Sequence, residues 1–379
     1  MKIAIDCRLL STKVTGIGFY ILNLINELAK FDKDNDYKLI YQHKRTVFDQ
    51  IGNPDTHLYK PDTSNFKLSK IYLDVRIFEY LLFKFGIPKM NWLTGKFDIL
   101  HGPYFYPWSI SRGRFIVTVH DLTSFKVPHT VRSGLCQYYQ KCHNMSIPKA
   151  DYIIADSMAT KHDIMELFKI PDDRIGVVYL GTNLQSSDFN IQTKLSEGIA
   201  NPFILCVGTI EPRKNHINLI KAFNTLKEQY KIPHKLVLAG DKGWQHEKVI
   251  AEAQDSKYKN DIIITGYLSP EEIKSLYYKA DVFAYVSIYE GFGLPILEAM
   301  AAGRPIVYSK NTSMIEVAGD IGIGVDAYDI ESIADGIYKF IDNEQLAKSE
   351  SVKGLKRASQ FTWEKTARET LEVYKKVAD

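Results

Sequence analysis

The chain has 379 residues, 45% hydrophobic and 25% charged, with a formal net charge of +3. That length predicts two or three domains of ordinary globular composition, and so small a net charge argues against a nucleic-acid-binding protein. No apolar run approaches the ~20 residues of a membrane-spanning helix. The charge is uneven. Residues 1–190 carry 24 Lys and Arg against 19 Asp and Glu, and the remainder carries 24 against 26. Residues 101–150 hold six basic residues and one acid, Asp121. Either the N-terminal half meets an anionic partner or surface, or it has an inert basic face. Cys7, Cys136, Cys142 and Cys206 have no disulfide or zinc spacing, which predicts a reducing compartment. The opening residues, with Lys2, Asp6 and Arg8, have no signal-peptide pattern, which predicts a cytoplasmic protein.

In chain order, Lys2–Cys7 reads as a strand, Gly16-Ile17-Gly18 as a turn, and Phe19–Ala29 as a helix. A dinucleotide fingerprint needs a third glycine at position 21, which is Ile21, so a Rossmann dehydrogenase is disfavoured. The glycines suit close approach of a ligand or a purely structural turn. Asp32, Asp34 and Asp36 resemble the start of a calcium loop. Tyr37 and His43 stand where Gly and Glu are needed, so this is a polar turn before the strand Tyr37–Tyr41. The stretch Leu68–Phe85 reads as a basic, aromatic-rich helix, suited to a membrane interface or to a core with a basic outer face. Phe97–Leu100 and Phe115–Val119 are strands that end in His101-Gly102-Pro103 and His120-Asp121. Polar residues there lie on the carboxyl edge of a parallel sheet, where α/β proteins bind ligands. Asp151–Ala155 leads to Asp156 and Ser157, the latter a candidate N-cap. Ile175–Tyr179 closes the half.

Residues 186–201 are polar, without a clear period, and read as a linker. A second strand–helix series follows: Phe203–Val207, then Gly208 to Asn215, a helix from His216 to Gln229, and strands at Leu236–Ala239 and Ile262–Ile264. Ser269-Pro270-Glu271-Glu272 has the form of a helix N-terminus. The apolar run Val282–Val286 gives way to Glu290-Gly291-Phe292-Gly293, and Pro295 suits the first turn of a helix. Strand, glycine loop and helix N-terminus make an anion site. The carboxylates Glu290 and Glu298 flank it, which suits a ligand with phosphate in its middle and hydroxyls at both ends. A nucleotide-sugar is such a ligand. Arg213 and Lys214 follow the first strand of this series on the same sheet edge and would neutralise a diphosphate. Strands at Ile306–Tyr308 and Ile321–Val325, with helices around Ser313–Val317, Ile330–Ile341 and Trp363–Val377, complete the chain. The fold class is α/β, with two doubly wound domains facing across a cleft.

Glu290-Gly291-Phe292-Gly293-Leu294-Pro295 with Glu298 resembles the E-x7-E signature of retaining GT-B glycosyltransferases of family 4. The likeness covers nearly the whole chain. Gly16-Ile17-Gly18, His120-Asp121, Ala155-Asp156-Ser157, Gly208 with Glu211-Pro212-Arg213-Lys214-Asn215, Gly266-Tyr267 and Phe361-Thr362-Trp363-Glu364 occur in the family's order. The resemblance implies a Rossmann-like acceptor domain at 1–185, the linker at 186–201, a Rossmann-like nucleotide-sugar domain at 202–360, and a C-terminal helix, 361–379, crossing back to the first domain. It implies that Glu298 holds the ribose and Glu290 contacts the donor sugar. The N–H groups of Phe292, Gly293 and Leu294 would meet phosphate or sugar hydroxyls, and Arg213 and Lys214 the diphosphate. His120 would reach the sugar, Gly16 would approach donor and acceptor, and Tyr267 would lie by the base. Catalysis would fall to Glu290, His120, Lys214 and Arg213, with no metal and no cofactor.

One departure is Thr209, where many relatives carry an additional Arg after the glycine. The subgroup resembled is that of bacterial polysaccharide enzymes. This implies transfer of mannose from GDP-mannose to a saccharide, carried or not on a polyprenyl diphosphate, at the inner face of the plasma membrane. A UDP-sugar donor, a nucleotide-sugar 2-epimerase and a non-catalytic sugar-nucleotide-binding partner are the alternatives.

Overall fold

The computed structural model describes residues 1–11, 16–42, 59–184, 199 and 202–378. It divides into two compact units. The first comprises Met1–Leu122, Gln137–Gly181 and Trp363–Asp379, and the second Thr123–Cys136 and Thr182–Thr362. Most of the expected linker lies outside the described residues. Three boundaries differ from the sequence reading: residues 123–136 group with the second unit, as do Thr182–Leu184, Phe361 and Thr362.

The first unit holds seven strands: β1 (Lys2–Asp6), β2 (Asp36–Gln42), β3 (Phe66–Ile71), β4 (Ile99–Gly102), β5 (Arg114–Val119), β6 (Tyr152–Ala155) and β7 (Ile175–Val177). Their order is β3-β2-β1-β4-β5-β6-β7, and every pairing is parallel. The second unit holds β8 (Phe203–Val207), β9 (Lys235–Ala239), β10 (Ile262–Ile264), β11 (Val282–Tyr285), β12 (Ile306–Ser309) and β13 (Ile323–Val325). Their order is β10-β9-β8-β11-β12-β13, again all parallel. Central strands such as Phe203–Val207 and Val282–Tyr285 are buried throughout. Helices cover both faces of such a sheet, so its strands read as unbroken apolar runs. In each unit the strand order reverses once, between β1 and β4 and between β8 and β11. Loops leaving the carboxyl ends of the strands beside that reversal border the ligand crevice of a doubly wound sheet.

Three sequence expectations change. The stretch Leu68–Phe85 is not one helix. Phe66–Ile71 is strand β3, paired in parallel with β2, and the helix spans Val75–Phe85. The Asp74 side chain caps that helix by accepting from the N–H groups of Arg76 and Ile77, and Gly86 ends it in a left-handed conformation. Only Phe66 and Ile71 of this strand are buried, so it has no strand period to set against the helical period of the residues that follow. The first helix begins at Gly16, so Gly16 and Gly18 are helical rather than turn residues. Helices at Ser133–Ser146, His246–Asp255 and Glu344–Ala358 were not foreseen. Their polar faces dilute the apolar period. The polar turn expected before β2 is present and is closed by Asp32, whose carboxylate accepts from the Asn35 amide at 2.8 Å and from the Tyr37 hydroxyl.

The last helix, Trp363–Ala378, buries Trp363, Thr366, Ala367, Thr370, Leu371 and Tyr374. These positions recur at helical spacing and face the first unit's core. The Tyr374 hydroxyl pairs with His101 Nδ1 at 2.7 Å, and His101 Nε2 pairs with the Thr118 hydroxyl at 2.8 Å. Burial lowers the His101 pKa to about 3, so the ring is neutral and structural. Among the described residues, no helix is long and apolar enough to cross a membrane.

Candidate active site

In the second unit the turn after β8 and the loop after β11 meet. Glu211, Arg213 and Lys214 come from the first, and Glu290 from the second. The Ile288 N–H donates to the Arg213 carbonyl at 2.8 Å, tying the two segments together. Asn215 ends the first turn in a left-handed conformation with φ of 60°. Its side-chain amide donates to the carbonyls of Val286, at 3.1 Å, and Ala327, at 2.6 Å. Asparagine tolerates this backbone, and its amide satisfies two buried carbonyls. Gly208, with φ of 154°, leaves room for the Lys214 stem against the backbone; a Cβ there would lie 3.4 Å from Lys214 Cε.

The side chains converge on one buried carboxylate. Lys214 Nζ donates to Glu290 Oε1 at 2.7 Å, and Arg213 Nη1 to Glu290 Oε2 at 2.7 Å. The Tyr285 hydroxyl, at the end of β11, donates to Glu290 Oε1 at 2.9 Å and accepts from Lys214 Nζ. Arg213 also donates to Glu211 Oε1 at 2.9 Å and to the Tyr289 carbonyl at 3.0 Å. The Ser313 hydroxyl donates to the Glu290 carbonyl at 2.9 Å. Burial alone would raise the Glu290 pKa, but Arg213 and then Lys214 hold it at about 2. Lys214 behaves in the opposite sense. Burial, and next the Arg213 charge, lower its pKa below the usual lysine value, and Glu290 pulls against them without cancelling them. Two cations, Lys214 and Arg213, share this point with two carboxylates, Glu290 and Glu211. A further anion beside Lys214 would favour its charged form.

Beyond Glu290, Gly293 takes a φ of 100° and opens the helix Leu294–Ala301. A side chain would strain that backbone, which turns the chain from loop to helix. Glu298 lies in this helix, half-buried, and accepts from the Tyr277 hydroxyl at 2.8 Å. Burial raises its pKa to about 7, with Tyr277 and Lys274 opposing. Tyr267 follows Gly266, itself at φ of 72°, just past β10, with its ring 58% exposed.

His120 and Gly16 belong to the first unit. His120 Nδ1 lies 2.6 Å from Asp156 Oδ2, and Nε2 lies 2.9 Å from the Pro103 carbonyl. The Pro103 carbonyl can only accept, so Nε2 carries a proton, while Nδ1 and Asp156 form a buried acid–base pair. Burial opposes the charge on the ring, but Asp156 outweighs it and the pKa lies above the usual histidine value. Tyr20 packs edge-on against the ring, with centroids 4.8 Å apart. Both ring nitrogens are thus engaged within the first unit. Gly16 opens its helix with nothing within 4 Å of where a Cβ would stand.

The structure thus joins Arg213, Lys214 and Glu290 in one network. It sets Phe292, Gly293, Leu294 and Glu298 on the adjoining loop and helix. Sequence reasoning missed Tyr285, Glu211 and Tyr277. A tyrosine inside an apolar strand reads as core, and nothing in its spacing shows where the hydroxyl points. Asp156 was seen as a strand-end residue but not as the partner of His120.

The chain matches two family models: Glycosyltransferase Family 4 over residues 14–186, and Glycosyl transferases group 1 over residues 189–357. It is 30% identical to the O-antigen chain mannosyltransferase B of Escherichia coli, over 99% of this chain and 100% of that protein. The chain belongs to the family 4 glycosyltransferases. A further relative of this glycosyltransferase is 29% identical over 59% of this chain and 60% of its own length. It is the N-acetylgalactosamine-N,N'-diacetylbacillosaminyl-diphospho-undecaprenol 4-alpha-N-acetylgalactosaminyltransferase of Campylobacter jejuni. Among solved structures, the glycosyltransferase resembles sucrose-phosphate synthase from Thermosynechococcus elongatus, with a TM-score of 0.74 at 19% identity over 99% of this chain and 98% of that one. The two parallel-sheet units therefore form a GT-B fold.

Proposed function

We propose that this glycosyltransferase moves mannose from GDP-mannose, with retention of configuration, to a saccharide acceptor carried on a polyprenyl diphosphate, in cell-surface polysaccharide synthesis at the inner face of the plasma membrane. The observation that carries the reading is the buried Lys214–Arg213–Glu290 network at the strand-order reversal of the second unit. Expelling a nucleoside diphosphate builds negative charge on the leaving oxygen. Prepositioned cations in a buried site stabilise that charge without reorganising. Lys214 and Arg213 are such cations, so the reaction as proposed needs no metal. Glu298 takes the ribose diol, Tyr267 the base, and the Phe292–Leu294 backbone the phosphate or sugar hydroxyls. Glu290 faces the sugar, and His120 is assigned a donor-sugar contact in which Nε2 would exchange the Pro103 carbonyl for a sugar hydroxyl, with Gly16 admitting donor and acceptor. The 30% identity to an O-antigen mannosyltransferase over the whole chain supports mannose. The diphospho-undecaprenol acceptor in the other relative's name supports the lipid carrier.

Turnover of a nucleotide-sugar panel tests this. GDP-mannose should be consumed at least tenfold faster than UDP-sugars, with and without EDTA. A UDP-sugar preference overturns the donor assignment. Consumption without acceptor that yields a 2-epimer points to an epimerase, and binding without turnover over a broad acceptor panel to a non-catalytic partner.

Glu298 supplies a second prediction. A ribose diol donates to a carboxylate, and protonation removes half of that acceptor capacity. Because the Glu298 pKa is raised to about 7, the donor KM should rise as the pH falls from 8 to 6. Glu298→Gln should show a higher KM that no longer changes over that range. A wild-type KM that is flat in pH removes Glu298 from the ribose.

A further inference from the structure

The turn from β12 into the helix Thr312–Ala318 departs from an ordinary helix start at two consecutive residues. Asn311 stands at the N-cap in extended backbone, yet its side chain makes no cap hydrogen bond. Asparagine is among the residues that cap a helix best. Thr312 follows with φ of 48°. Left-handed backbone is costly for a β-branched residue, and glycine takes it readily. Strain of this kind persists only where the surrounding structure imposes it.

Here the imposing structure is the loop after β11. The strands β11 and β12 are neighbours, with Tyr285 opposite Tyr308, so the two turns leave one sheet edge side by side. The Asn311 amide donates to the Ile288 carbonyl at 2.8 Å. The Thr312 hydroxyl accepts from the Glu290 N–H at 3.4 Å, and the Ser313 hydroxyl donates to the Glu290 carbonyl at 2.9 Å. Three consecutive side chains thus grip the loop backbone on both sides of the Glu290 Cα. Asn311 turns away from its own helix to do this, and its Oδ1 is buried with no hydrogen-bond partner among the described residues. Ser313 and Met314 are fully buried, and a Cβ on Gly293 would lie 3.4 Å from Met314 Cγ. The start of the helix therefore backs the loop at Glu290 and again at Gly293. The Glu290 carboxylate meets Lys214 and Arg213 at 2.7 Å each, so a small shift of its backbone breaks one contact or the other.

We infer that Asn311, Thr312 and Ser313 are positioning residues for the transfer. They hold the Glu290 backbone so that its carboxylate engages Lys214, Arg213 and the donor sugar in one fixed arrangement. The strained Thr312 serves that geometry although it weakens the helix start. The inference rests on the sugar contact proposed above for Glu290.

Turnover of the full chain with the panel's fastest donor, binding of the matching nucleoside diphosphate, and thermal unfolding test it together. Thr312→Val keeps a branched side chain in left-handed backbone and loses the acceptor. Thr312→Gly loses the acceptor but relieves the strain, so it should unfold at a higher temperature than Thr312→Val. In both, kcat should nevertheless fall by about tenfold or more, since misplaced reacting groups lose rate even in a folded site. Ser313→Ala should lower kcat likewise, with Ser313→Thr restoring part of it. Diphosphate binding should stay within about threefold of wild type in all four, because a positioning defect acts on the chemical step. Turnover that follows stability, lost in Thr312→Val and kept in Thr312→Gly, overturns the inference and leaves the turn a structural one. Diphosphate binding that falls in step with kcat overturns it too. Glu290→Gln, measured in parallel, separates the two readings. Wild-type turnover there removes Glu290 from the chemistry and the positioning role with it. A large loss there, beside wild-type kcat in Thr312→Gly and Ser313→Ala, overturns the positioning role alone.

Discussion

Replacing Glu290 by alanine is expected to abolish turnover and to destabilise the second unit together. The carboxylate is the shared acceptor of Lys214, Arg213 and Tyr285. Without it, two buried cations stand side by side with only Glu211 near, and breaking a buried pair in this way costs about 3 kcal/mol or more. The pH dependence has a definite sign. Glu290 titrates near 4.5 when unfolded and at about 2 in the fold. Its contribution is therefore complete above pH 4.5 and is lost as the pH falls towards 2. Acid unfolding of wild type should be steeper between pH 5 and 2 than that of Glu290→Gln. The glutamine variant keeps the side chain's shape and some of its hydrogen bonds. It should remain folded at neutral pH and bind GDP, while turnover falls on the order of 10³-fold. Wild-type turnover in Glu290→Gln would remove the residue from the chemistry. Lost turnover together with lost GDP binding would reduce its role to holding Lys214 and Arg213.

The pair illustrates what the sequence can and cannot disclose. The strands of both sheets other than β3 were legible because parallel sheets demand unbroken apolar runs, and Phe203–Val207 and Val282–Val286 are such runs. The helix His216–Gln229 has the bounds expected from its period. The capping box at Ser269 and Glu272 is present, and the Ser157 N-cap accepts from the Thr160 N–H. These are local signals, carried within a few residues. Failures occurred where two periods overlap, as at Leu68–Phe85, or where a polar helix such as Glu344–Ala358 lacks a strong apolar stripe. In the site, Arg213, Lys214, Glu290 and Glu298 could be picked out because charged residues at strand ends of an α/β sheet have few structural reasons to be there. Their partners could not. Tyr285 sits 71 residues from Lys214, and its hydroxyl reaches the ammonium only because β8 and β11 are neighbours. Their adjacency is a property of strand order. Sequence also could not show that Glu290 would engage both cations itself, which makes the network cohesive before any donor arrives.

That cohesion sets what Lys214 should do. In the structure its ammonium is held by Glu290 and Tyr285, yet burial and Arg213 still depress its pKa. A donor diphosphate beside it would favour the charged form. The benefit is largest in the transition state, where charge grows on the departing oxygen. Lys214→Ala should therefore lower kcat by roughly 10²–10³ and change the donor KM much less, because the interaction strengthens during bond cleavage. The pH profile adds a readout that simple loss of packing would not give. In the free enzyme the useful form of Lys214 is charged, and its pKa lies below the usual lysine value of 10.5. Wild-type kcat/KM should then fall as the pH rises through that depressed pKa. Lys214→Arg keeps a charge that does not titrate, so the alkaline limb should disappear even where geometry costs some rate. An alkaline limb that persists unchanged in Lys214→Arg would assign the titration to another group. Full kcat in Lys214→Ala would leave Arg213 as the cation that meets the leaving diphosphate.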